Sequence, residues 1–200
     1  MNDAHEIIVV KVGGSLFDLP DLGQRLQAWL SRQGAARVFL VPGGGPTADC
    51  VRDWDRRHHL GETRAHWLAL RALTLNAHFL AGVLPQSQVI QHLSRPDMPH
   101  LEAAQGCRLV PIVDMYDFAF DDEQHDGHLP HSWDTTSDSL SARVAERLSA
   151  QRLVLLKSVT IDPGIDWKKA AGRGLVDAFF AEIVQRARLR VEIVNLRNES

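Results

Sequence analysis

Short apolar segments alternate along this chain with longer segments of helical periodicity, and this alternation most restricts what the chain can fold into. Each short segment is rich in β-branched or other apolar residues, which is typical of a buried strand. The predicted strands are Ile7 to Val12, Arg37 to Val41, Arg108 to Val113, Arg152 to Leu156 and Arg190 to Val194. Parallel strands need crossover connections, and helices between them supply these. We therefore predict an α/β fold, a three-layer α/β/α sandwich with a mainly parallel central sheet.

Helical periodicity is clearest in three segments between the strands. It is carried by Leu22, Leu26, Trp29 and Leu30 in the first, spans Glu62 to Leu84 in the second, and runs from Ser139 to Ser149 in the third. Each places its apolar residues on one face. No long polar linker divides the chain, so we expect residues 1–200 to form a single domain.

Two segments lack useful periodicity. Met115 to Thr136 contains several aspartates with Gly127 and Pro130, and this composition predicts an exposed loop or lid. Ser158 to Arg173 predicts a second irregular connection, leading to a helix near Gly174 to Arg188.

The charge is nearly balanced: 22 Lys and Arg against 25 Asp and Glu give a net charge of −3 at pH 7. Such a chain has no basic field to attract a nucleic acid, so any anion site must be local. No apolar run approaches the roughly 20 residues that span a membrane, and Met1 to Glu6 lacks the basic start of a signal peptide. Cys50 and Cys107 are too few for a disulfide framework, and we expect both to be small buried residues in a cytoplasmic protein.

Two glycine-rich turns follow predicted strands and precede predicted helices. The first is Gly13-Gly14-Ser15 and the second is Gly43-Gly44-Gly45. Glycine lets backbone N–H groups approach a ligand, and a helix N-terminus favours negative charge, so each turn can bind phosphate or carboxylate. Neither matches the P-loop or the dinucleotide fingerprint. Each turn alone is also explained by tight-turn geometry, but two at neighbouring strand ends favour a donor site and an acceptor site.

Lys11 lies at the end of an apolar strand, where burying an ammonium group without an anionic partner is costly. Lys157 repeats this pattern after Leu153-Val154-Leu155-Leu156. Two such lysines can neutralise the charge on a phosphoryl group during transfer. The alternative is that each ammonium reaches solvent from its strand end.

A helix-start pattern lies between the two lysines, at Thr136-Ser137-Asp138-Ser139. Thr136 or Ser137 as an N-cap and Asp138 at the helix dipole are structural explanations of it. The functional interpretation is that Thr136 and Ser137 bind nucleotide phosphates while Asp138 orients the lysines or lies near magnesium.

In this order, Lys11-Val12-Gly13-Gly14-Ser15, Gly43-Gly44-Gly45, Thr136-Ser137-Asp138-Ser139 and Lys157 resemble the amino acid kinase superfamily. The resemblance implies an α/β/α kinase that binds ATP with Mg²⁺ and an acceptor at the strand ends. It assigns catalysis to Lys11, Lys157 and Asp138. It assigns nucleotide phosphates to Gly13, Gly14, Ser15, Thr136 and Ser137, and the acceptor to Gly43, Gly44, Gly45, Arg52 and His66, with glycine amides as donors.

A closer resemblance lies in Leu129-Pro130-His131-Ser132-Trp133-Asp134 and Ala65-His66-Trp67, which are similar to the (aminomethyl)furanyl-methyl phosphate kinases of methanofuran biosynthesis. It implies conversion of a phosphate monoester into a diphosphate for a one-carbon cofactor, by a homo-oligomer. The segment Ser158 to Gly164 departs from the Asp-Gly turn usual in the superfamily, which affects adenine recognition. A uridylate-like nucleoside monophosphate kinase and a non-catalytic nucleotide- or oxoanion-binding protein are the alternatives.

Three histidines, His125, His128 and His131, are spaced three apart in the segment predicted as a loop. Imidazoles at this spacing can bind zinc or nickel, but no orienting partner is readable from the sequence. We therefore expect a mobile surface loop and no metal site. For Arg52, Arg56 and the neighbouring arginines, a solvated helix face is the alternative to phosphate binding; for His66, it is core packing.

Overall fold

The computed structural model describes residues 6–93, 109–160 and 164–199. Within these ranges the chain forms a six-stranded sheet in which every pair of neighbouring strands is parallel. The strands are β1 (Ile7–Val12), β2 (Arg37–Pro42), β3 (Ser87–Ile90), β4 (Val110–Val113), β5 (Arg152–Lys157) and β6 (Arg190–Asn195).

Helices fill most of the connections between these strands. They are α1 (Leu22–Ser31), α2 (Gly45–His58), α3 (Glu62–Val83), α4 (Met115–Asp122), α5 (Ser137–Arg147), α6 (Trp167–Gly172) and α7 (Phe180–Ala187). A 3-10 helix, Gly14–Leu16, follows β1. None of the described helices is long and apolar enough to span a membrane.

Each face of the sheet is covered by a separate apolar cluster. Val9 of β1 belongs to one cluster, which includes residues of α5 and α7, whereas Ile8 and Val10 belong to the other, which includes residues of α1. Side chains of a strand alternate between the two faces, so one strand contributes to both clusters. The long helix α3 contributes to both as well, through Leu70 and Leu80. The predicted three-layer α/β/α sandwich is confirmed.

The strand order is β3-β4-β2-β1-β5-β6, and it places a topological switch point at β1. The chain moves from β1 to β2 on one side and returns to β5 on the other. The helices that follow β1 and β5 pack on opposite faces, as α1 and α7 contribute to different apolar clusters. Connections that diverge at the carboxyl ends of two adjacent strands leave a crevice between them. The fold therefore places the crevice beside the turns that follow β1, β2 and β5.

The prediction of a loop from Met115 to Thr136 was wrong for its first eight residues, because Met115–Asp122 form α4. Asp114 caps this helix by accepting hydrogen bonds from the N–H groups of Tyr116 and Asp117. Met115 and Phe118 are buried on the face that packs against the core. The helix is short and rich in aspartate, and its stability comes from tertiary contacts that sequence periodicity does not report.

Three smaller differences from the sequence predictions also appear in the structure. The edge strand β3 was not predicted, since Ser87–Ile90 has four residues and alternates only weakly between polar and apolar. Cys50, expected to be buried, is exposed on α2. Within the predicted irregular segment Ser158 to Arg173, residues Trp167–Gly172 form α6. Cys107 and Arg108, the first residue of the predicted strand, lie outside the described residues.

Candidate active site

A cavity of about 400 Å³ opens where β1, β2 and β5 end. The turn after β1 lines it through Gly13, Gly14 and Ser15, and the turn after β2 through Gly44 and Gly45. Lys11 and Lys157 also line it. The two glycine turns and the two lysines predicted from the sequence therefore meet at one site.

Lys11 and Lys157 both contact the carboxylate of Asp138, one on each oxygen. Lys11 Nζ lies 3.0 Å from Asp138 Oδ1, and Lys157 Nζ donates a hydrogen bond of 2.9 Å to Asp138 Oδ2. Alternation along the strands explains the convergence, because Lys11 shares a face with Val9, and Lys157 shares it with Leu155, on the side where α5 packs. The site thus holds two positive charges against one negative charge.

Burial and the neighbouring charges shift the pKa of Asp138 in opposite directions. Burial tends to raise the pKa of Asp138, but the ammonium groups of Lys11 and Lys157 outweigh it and lower the pKa below the usual value. Asp138 is therefore ionised at neutral pH. Burial also lowers the pKa of Lys157, with a contribution from the charge of Lys11, and Asp138 opposes that change. An additional anion in the cavity would relieve the repulsion between the two lysines.

The two glycine turns press against each other. A Cβ atom on Gly14 would collide with the backbone nitrogen of Gly45, and a Cβ atom on Gly43 would lie 2.7 Å from the carbonyl oxygen of Val12. Gly45 also has a φ of +55°, in the left-handed region. Glycine is needed here because backbones touch.

The structure corrects one part of the predicted amide cradle. The N–H of Gly13 donates to the carbonyl of Leu156 at 2.8 Å, and the N–H of Gly43 donates to the carbonyl of Val12 at 2.8 Å. These two amides extend the ladder of the sheet and are not aimed at a ligand. Gly43 is also outside the set of residues that line the cavity, whereas Gly44 and Gly45 are part of it.

Asn76 fixes the second glycine turn, and the sequence analysis did not single it out. Its side-chain amide donates to the carbonyls of Gly43 and Gly44 at 2.8 and 2.7 Å. Its carbonyl oxygen accepts from the hydroxyl of Thr47 at 3.0 Å. Asn76 lies on the buried face of α3 between Leu73 and Leu80. A polar residue on an apolar helix face was the available signal.

The N-terminus of α5 is satisfied mainly from within the chain. Asp177 Oδ2 accepts hydrogen bonds from the N–H and hydroxyl of Thr136, at 3.0 and 2.6 Å, and from the N–H of Ser139 at 3.0 Å. Thr136 also lines the cavity, but its N–H and hydroxyl both donate to Asp177, and its role in binding nucleotide phosphates stays a prediction. Thr136 is the N-cap of α5, as the structural explanation held. Ser137 lines the cavity.

Asp177 was also missed by the sequence analysis. It accepts from the N–H groups of Phe179 and Phe180, at 3.1 and 3.2 Å, so one carboxylate ties the start of α7 to the start of α5. The nearby carbonyl of Leu175 accepts from Lys157 at 2.6 Å. An aspartate directly before an amphipathic segment is a helix-start signal that could have identified it.

Ser15 contacts the turn that follows β5. Its hydroxyl lies 2.9 Å from the hydroxyl of Ser158, and both serines line the cavity. Val159, Gly174 and Leu175 line the same side. This end of the cavity lies across β1 from the second glycine turn.

The opposite end is bounded by α2, α3 and residues 129–135, named here the wall segment. Trp133 in this segment lines the cavity, and its indole Nε1–H donates to Asp55 Oδ2 of α2 at 2.8 Å. The guanidinium of Arg52 lies 4.7 Å from the centre of the Trp133 ring. Arg52 lines the cavity as well, and it pairs with Asp49 at 2.8 Å. Trp133 and Asp55 were not among the predicted site residues.

His66 lies where α3 meets the wall segment and also lines the cavity. Its ring stacks on His131 with centroids 5.0 Å apart, and His131 is bonded to Glu123. Burial and the neighbouring His131 lower the pKa of His66 to about 4, so the imidazole is neutral at neutral pH. The neutral ring contributes a hydrogen-bonding group rather than a charge.

The three histidines of the predicted loop have separate partners. His125 contacts the carbonyl of Asp121 and the guanidinium of Arg147, His128 contacts the carbonyl of His125, and His131 stacks on His66. Within residues 6–93, 109–160 and 164–199, no three His, Cys, Asp or Glu side chains are grouped as metal ligands. Arg56 pairs with Asp53 on the exposed face of α2 and does not line the cavity.

Comparison with known proteins places these features in a family. The sequence model of the Amino acid kinase family matches residues 6–161. The chain is 26% identical to [5-(aminomethyl)furan-3-yl]methyl phosphate kinase from Methanocaldococcus jannaschii over 208 aligned positions, covering 95% of this chain and 88% of that protein.

Solved structures of kinases share the fold. Uridylate kinase from Archaeoglobus fulgidus matches with a TM-score of 0.62 at 19% identity, over 94% of this chain and 90% of that one. UMP kinase from Bacillus anthracis matches with a TM-score of 0.66 at 14% identity, over 97% and 88%. With a family match over most of its length and kinases among its relatives and fold neighbours, the chain belongs to the amino acid kinase family and is a phosphotransferase.

Proposed function

We propose that this chain transfers the γ-phosphoryl group of ATP to a phosphate monoester of the aminomethylfuran type, giving a diphosphate for the biosynthesis of a one-carbon cofactor. The observation that carries the proposal is the pair of lysines on the two oxygens of Asp138, within a cavity between two glycine turns. The kinase from Methanocaldococcus jannaschii, whose name specifies such an acceptor, supports the acceptor class.

The reaction needs positioning and charge neutralisation more than acid–base chemistry. An ionised oxygen of the acceptor phosphate attacks the γ-phosphorus, the bond from that phosphorus to the β–γ bridging oxygen breaks, and ADP leaves with the electron pair. The acceptor oxygen is already ionised at neutral pH, so no strong general base is required. Lys11 and Lys157 neutralise the charge that spreads over the transferred group, and Asp138 keeps both ammonium groups at the same place.

The backbone donors of the proposed site are those of Gly14, Ser15, Gly44 and Gly45, because the amides of Gly13 and Gly43 belong to the sheet ladder. The start of α2 at Gly45 adds the partial positive charge of a helix N-terminus beside the second turn. Mg²⁺ enters with the phosphates of ATP in this proposal and neutralises part of their charge.

The layout of the sheet suggests which end of the cavity takes which substrate. The end lined by Ser158, Val159 and Leu175 takes the nucleotide, and the end lined by Gly44, Arg52 and His66 takes the acceptor. The two lysines lie between these ends, at β1 and β5. The phosphoryl group then moves across Lys11 and Lys157 from one end to the other.

A nucleoside monophosphate kinase is the second candidate, and the fold similarity to UMP kinases supports it. It differs from the first proposal only in the acceptor. A protein that binds nucleotide or another oxoanion without turnover is the third, and it predicts binding without product.

The test is product formation by the purified chain with ATP, Mg²⁺ and a panel of acceptors, followed by phosphorus NMR. The panel contains [5-(aminomethyl)furan-3-yl]methyl phosphate, UMP and a simple alkyl phosphate. A diphosphate is expected with the furan acceptor. Lys11→Met keeps most of the side-chain length without the charge and should reduce kcat on the order of 100- to 1,000-fold.

The matched control is Lys168→Met, which removes the same charge at an exposed position of α6. It should leave the rate within twofold, a roughly neutral effect for an exposed surface change. Preference for UMP would favour the second candidate, and nucleotide binding with no turnover on any acceptor would favour the third. Full activity of Lys11→Met would contradict the assignment of the site.

We also propose that the protein is a homo-oligomer and acts in the cytoplasm, as the family resemblance implies. Light scattering coupled to size-exclusion chromatography gives the mass to compare with the 22.3 kDa chain.

A further inference from the structure

The acceptor end of the cavity has a chemical character that differs from its phosphate-binding centre. Five of its lining side chains are apolar or aromatic: Ala48, Ala69, Leu70, Leu73 and Trp133. Ser132 and Thr135 also line it, and each is already hydrogen-bonded within residues 130–135. Of the polar residues at this end, Asp49 and Arg52 already pair with each other at 2.8 Å, and His66 is neutral because its pKa is lowered to about 4. A flat, mainly apolar group fits such a surface better than a ribose, whose hydroxyls need partners when they are buried.

Trp133 is the largest of these side chains, and neighbouring groups hold it from two sides. Asp55 accepts its indole N–H at 2.8 Å, and the guanidinium of Arg52 lies over the ring at 4.7 Å. Both partners belong to α2, the helix that begins at the second glycine turn. The ring is therefore fixed relative to the turn that is proposed to bind the acceptor phosphate.

The wall segment that carries Trp133 is anchored to α3 as well. His131 stacks on His66 and is bonded to Glu123, and the hydroxyl of Thr135 donates to the carbonyl of Pro130 at 2.8 Å. The segment thus contacts α3 through His131 and α2 through Trp133 itself, which keeps the ring in place before a ligand arrives, and preorganisation of this kind improves selectivity.

We propose that Trp133 is a specificity-determining residue of the acceptor site, forming the flat wall against which a planar heteroaromatic ring packs while its phosphate group lies on the second glycine turn. The inference rests on the proposed function and deepens it, since it names the side chain that selects an aromatic acceptor over a saturated or ribose-containing one. Asp55 and Arg52 are positioning residues for this wall.

The experiment compares two acceptors that differ only in ring saturation: [5-(aminomethyl)furan-3-yl]methyl phosphate and its tetrahydrofuran analogue. In the parent protein the KM of the furan is expected to be roughly tenfold lower, because an aromatic ring gains from packing on indole. Trp133→Leu should raise the KM of the furan roughly tenfold and remove the preference, while the KM of ATP stays within twofold. Trp133→Phe should retain part of the preference.

The matched control is Trp54→Leu, which removes a tryptophan that is 49% exposed on α2 and does not line the cavity. It should change neither KM. If the parent protein is active on the furan and Trp133→Leu keeps the same preference for it, the inference is overturned and the proposed function stands. A parent protein that neither binds nor phosphorylates the furan overturns both.

A second measurement keeps the inference testable if Trp133→Leu does not fold. The parent protein is labelled with 5-fluorotryptophan, and the resonance of Trp133 among the five tryptophans is assigned with Trp133→Phe. The furan acceptor alone should shift the Trp133 resonance, and the alkyl phosphate should shift it much less. Equal shifts with both acceptors, or none with the furan at a saturating concentration, would contradict contact with the ring.

Discussion

Asp138 is buried against two ammonium groups, and this arrangement connects the stability of the site to its chemistry. A single buried carboxylate between two lysines leaves one positive charge in excess. Burial lowers the pKa of Lys157 below its ordinary value, while the carboxylate of Asp138 opposes that change. A phosphate group in the cavity would supply the missing negative charge.

The first prediction concerns Asp138→Asn and the alkaline side of the pH–rate profile. In the proposed mechanism transfer needs Lys157 in its charged form, so activity should be lost as the pH rises through the pKa of this lysine, which lies below its ordinary 10.5. Removing the carboxylate lowers that pKa further. The variant should lose kcat on the order of 100-fold, and its residual activity should decline at lower pH than in the parent. Rates measured from pH 7 to 10.5 test this.

Asp134→Asn is the control, since it removes a carboxylate from an exposed position of the wall segment. Its pH profile should overlay that of the parent. An alkaline limb at the same pH in Asp138→Asn as in the parent would show that Asp138 does not set the charge of Lys157.

The second prediction concerns His66 and stability in acid. In the unfolded chain this histidine takes up a proton near its ordinary pKa of 6.5, but in the folded protein burial and His131 delay protonation until the pKa of about 4. The folded state binds fewer protons in this range, so the free energy of unfolding falls as the pH drops from 6.5 to 4. The difference is on the order of 3 kcal/mol.

His66→Gln removes this titration and should therefore lose less stability between pH 7.5 and 4.5 than the parent, measured by urea unfolding. All other ionisable groups are the same in the two proteins, so the comparison isolates His66. His78→Gln, at an exposed position of the same helix, should follow the parent. Parallel pH dependences for parent and His66→Gln would refute the assignment.

The sequence identifies a functional residue when its neighbours in the chain already explain why that residue type is needed. It misses a residue whose role depends on partners far away in the chain. Lys11 and Lys157 are charged residues near the ends of apolar strands, and Asp138 lies in a helix-start pattern. Each of them can therefore be recognised from its own short segment. Trp133 and Asp177 act through partners 78 and 41 residues away. Thr136 shows the converse case, because the hydroxyl that the sequence offers to a phosphate donates in the structure to the carboxylate of Asp177. Local patterns identify polar groups, whereas tertiary structure decides which of them are free.

At the scale of elements, the two glycine turns act as one unit because their backbones touch. The third prediction is that Gly14→Ala forces them apart, since the added Cβ would collide with the backbone nitrogen of Gly45 and neither backbone can move aside cheaply. The free energy of unfolding should fall by about 1–3 kcal/mol, as for other overpacked sites. The rate of transfer should fall at least tenfold, because both predicted phosphate-binding turns are displaced.

Gly82→Ala is the matched control within a helix. A Cβ at Gly82 meets nothing within 4 Å, so the change should stabilise α3 by about 1 kcal/mol and leave the rate unchanged. Denaturant unfolding and steady-state rates of both variants test this pair. A Gly14→Ala protein with parental activity would mean that the close contact between the turns does not matter for the site.

The helix α4 shows why some elements escape sequence analysis. Asp122 at its end is buried and accepts two hydrogen bonds from Arg143 of α5, at 2.7 and 2.9 Å, and one from Arg147 at 2.9 Å. The sequence of an aspartate-rich segment is typical of a loop, because the arginines that neutralise its charge come from another part of the chain. The pairing also links the segment before the wall to α5, the helix that carries Asp138.

At the scale of the whole molecule, the alternation of strand and helix was enough to predict the layers, but not the order of the strands. Buried parallel strands resemble one another in sequence. The residues of β5 therefore carry no signal that it pairs with β1 rather than β4. The site nevertheless followed from the prediction of a parallel sheet, because all the carboxyl ends lie on one edge. The pairing of β5 with β1 then determines that Lys157, rather than a residue of β3 or β4, lies beside Lys11.

The fourth prediction follows from this position of the site at the centre of the sheet. β1 and β5 are adjacent strands whose Val9, Val10, Leu153 and Val154 are fully buried, so a site at their ends exists only while the sheet is folded, and a ligand of this site binds the folded state alone. A non-hydrolysable ATP analogue with Mg²⁺, at about 100 times its Kd, should therefore stabilise the folded state by about 2.7 kcal/mol. For a chain of this length that corresponds to a rise in Tm of about 5–10 °C.

Lys157→Met should lose most of this rise, because the analogue's phosphates lose one of the two ammonium groups that attract them, whereas Lys168→Met should keep it. The rise should also grow with the logarithm of the analogue concentration, since each tenfold increase above Kd adds about 1.4 kcal/mol. Differential scanning fluorimetry over a concentration series measures both. A folded protein whose Tm does not respond to the analogue would show that the crevice between β1 and β5 does not bind nucleotide, and a rise that Lys157→Met retains in full would place the nucleotide elsewhere.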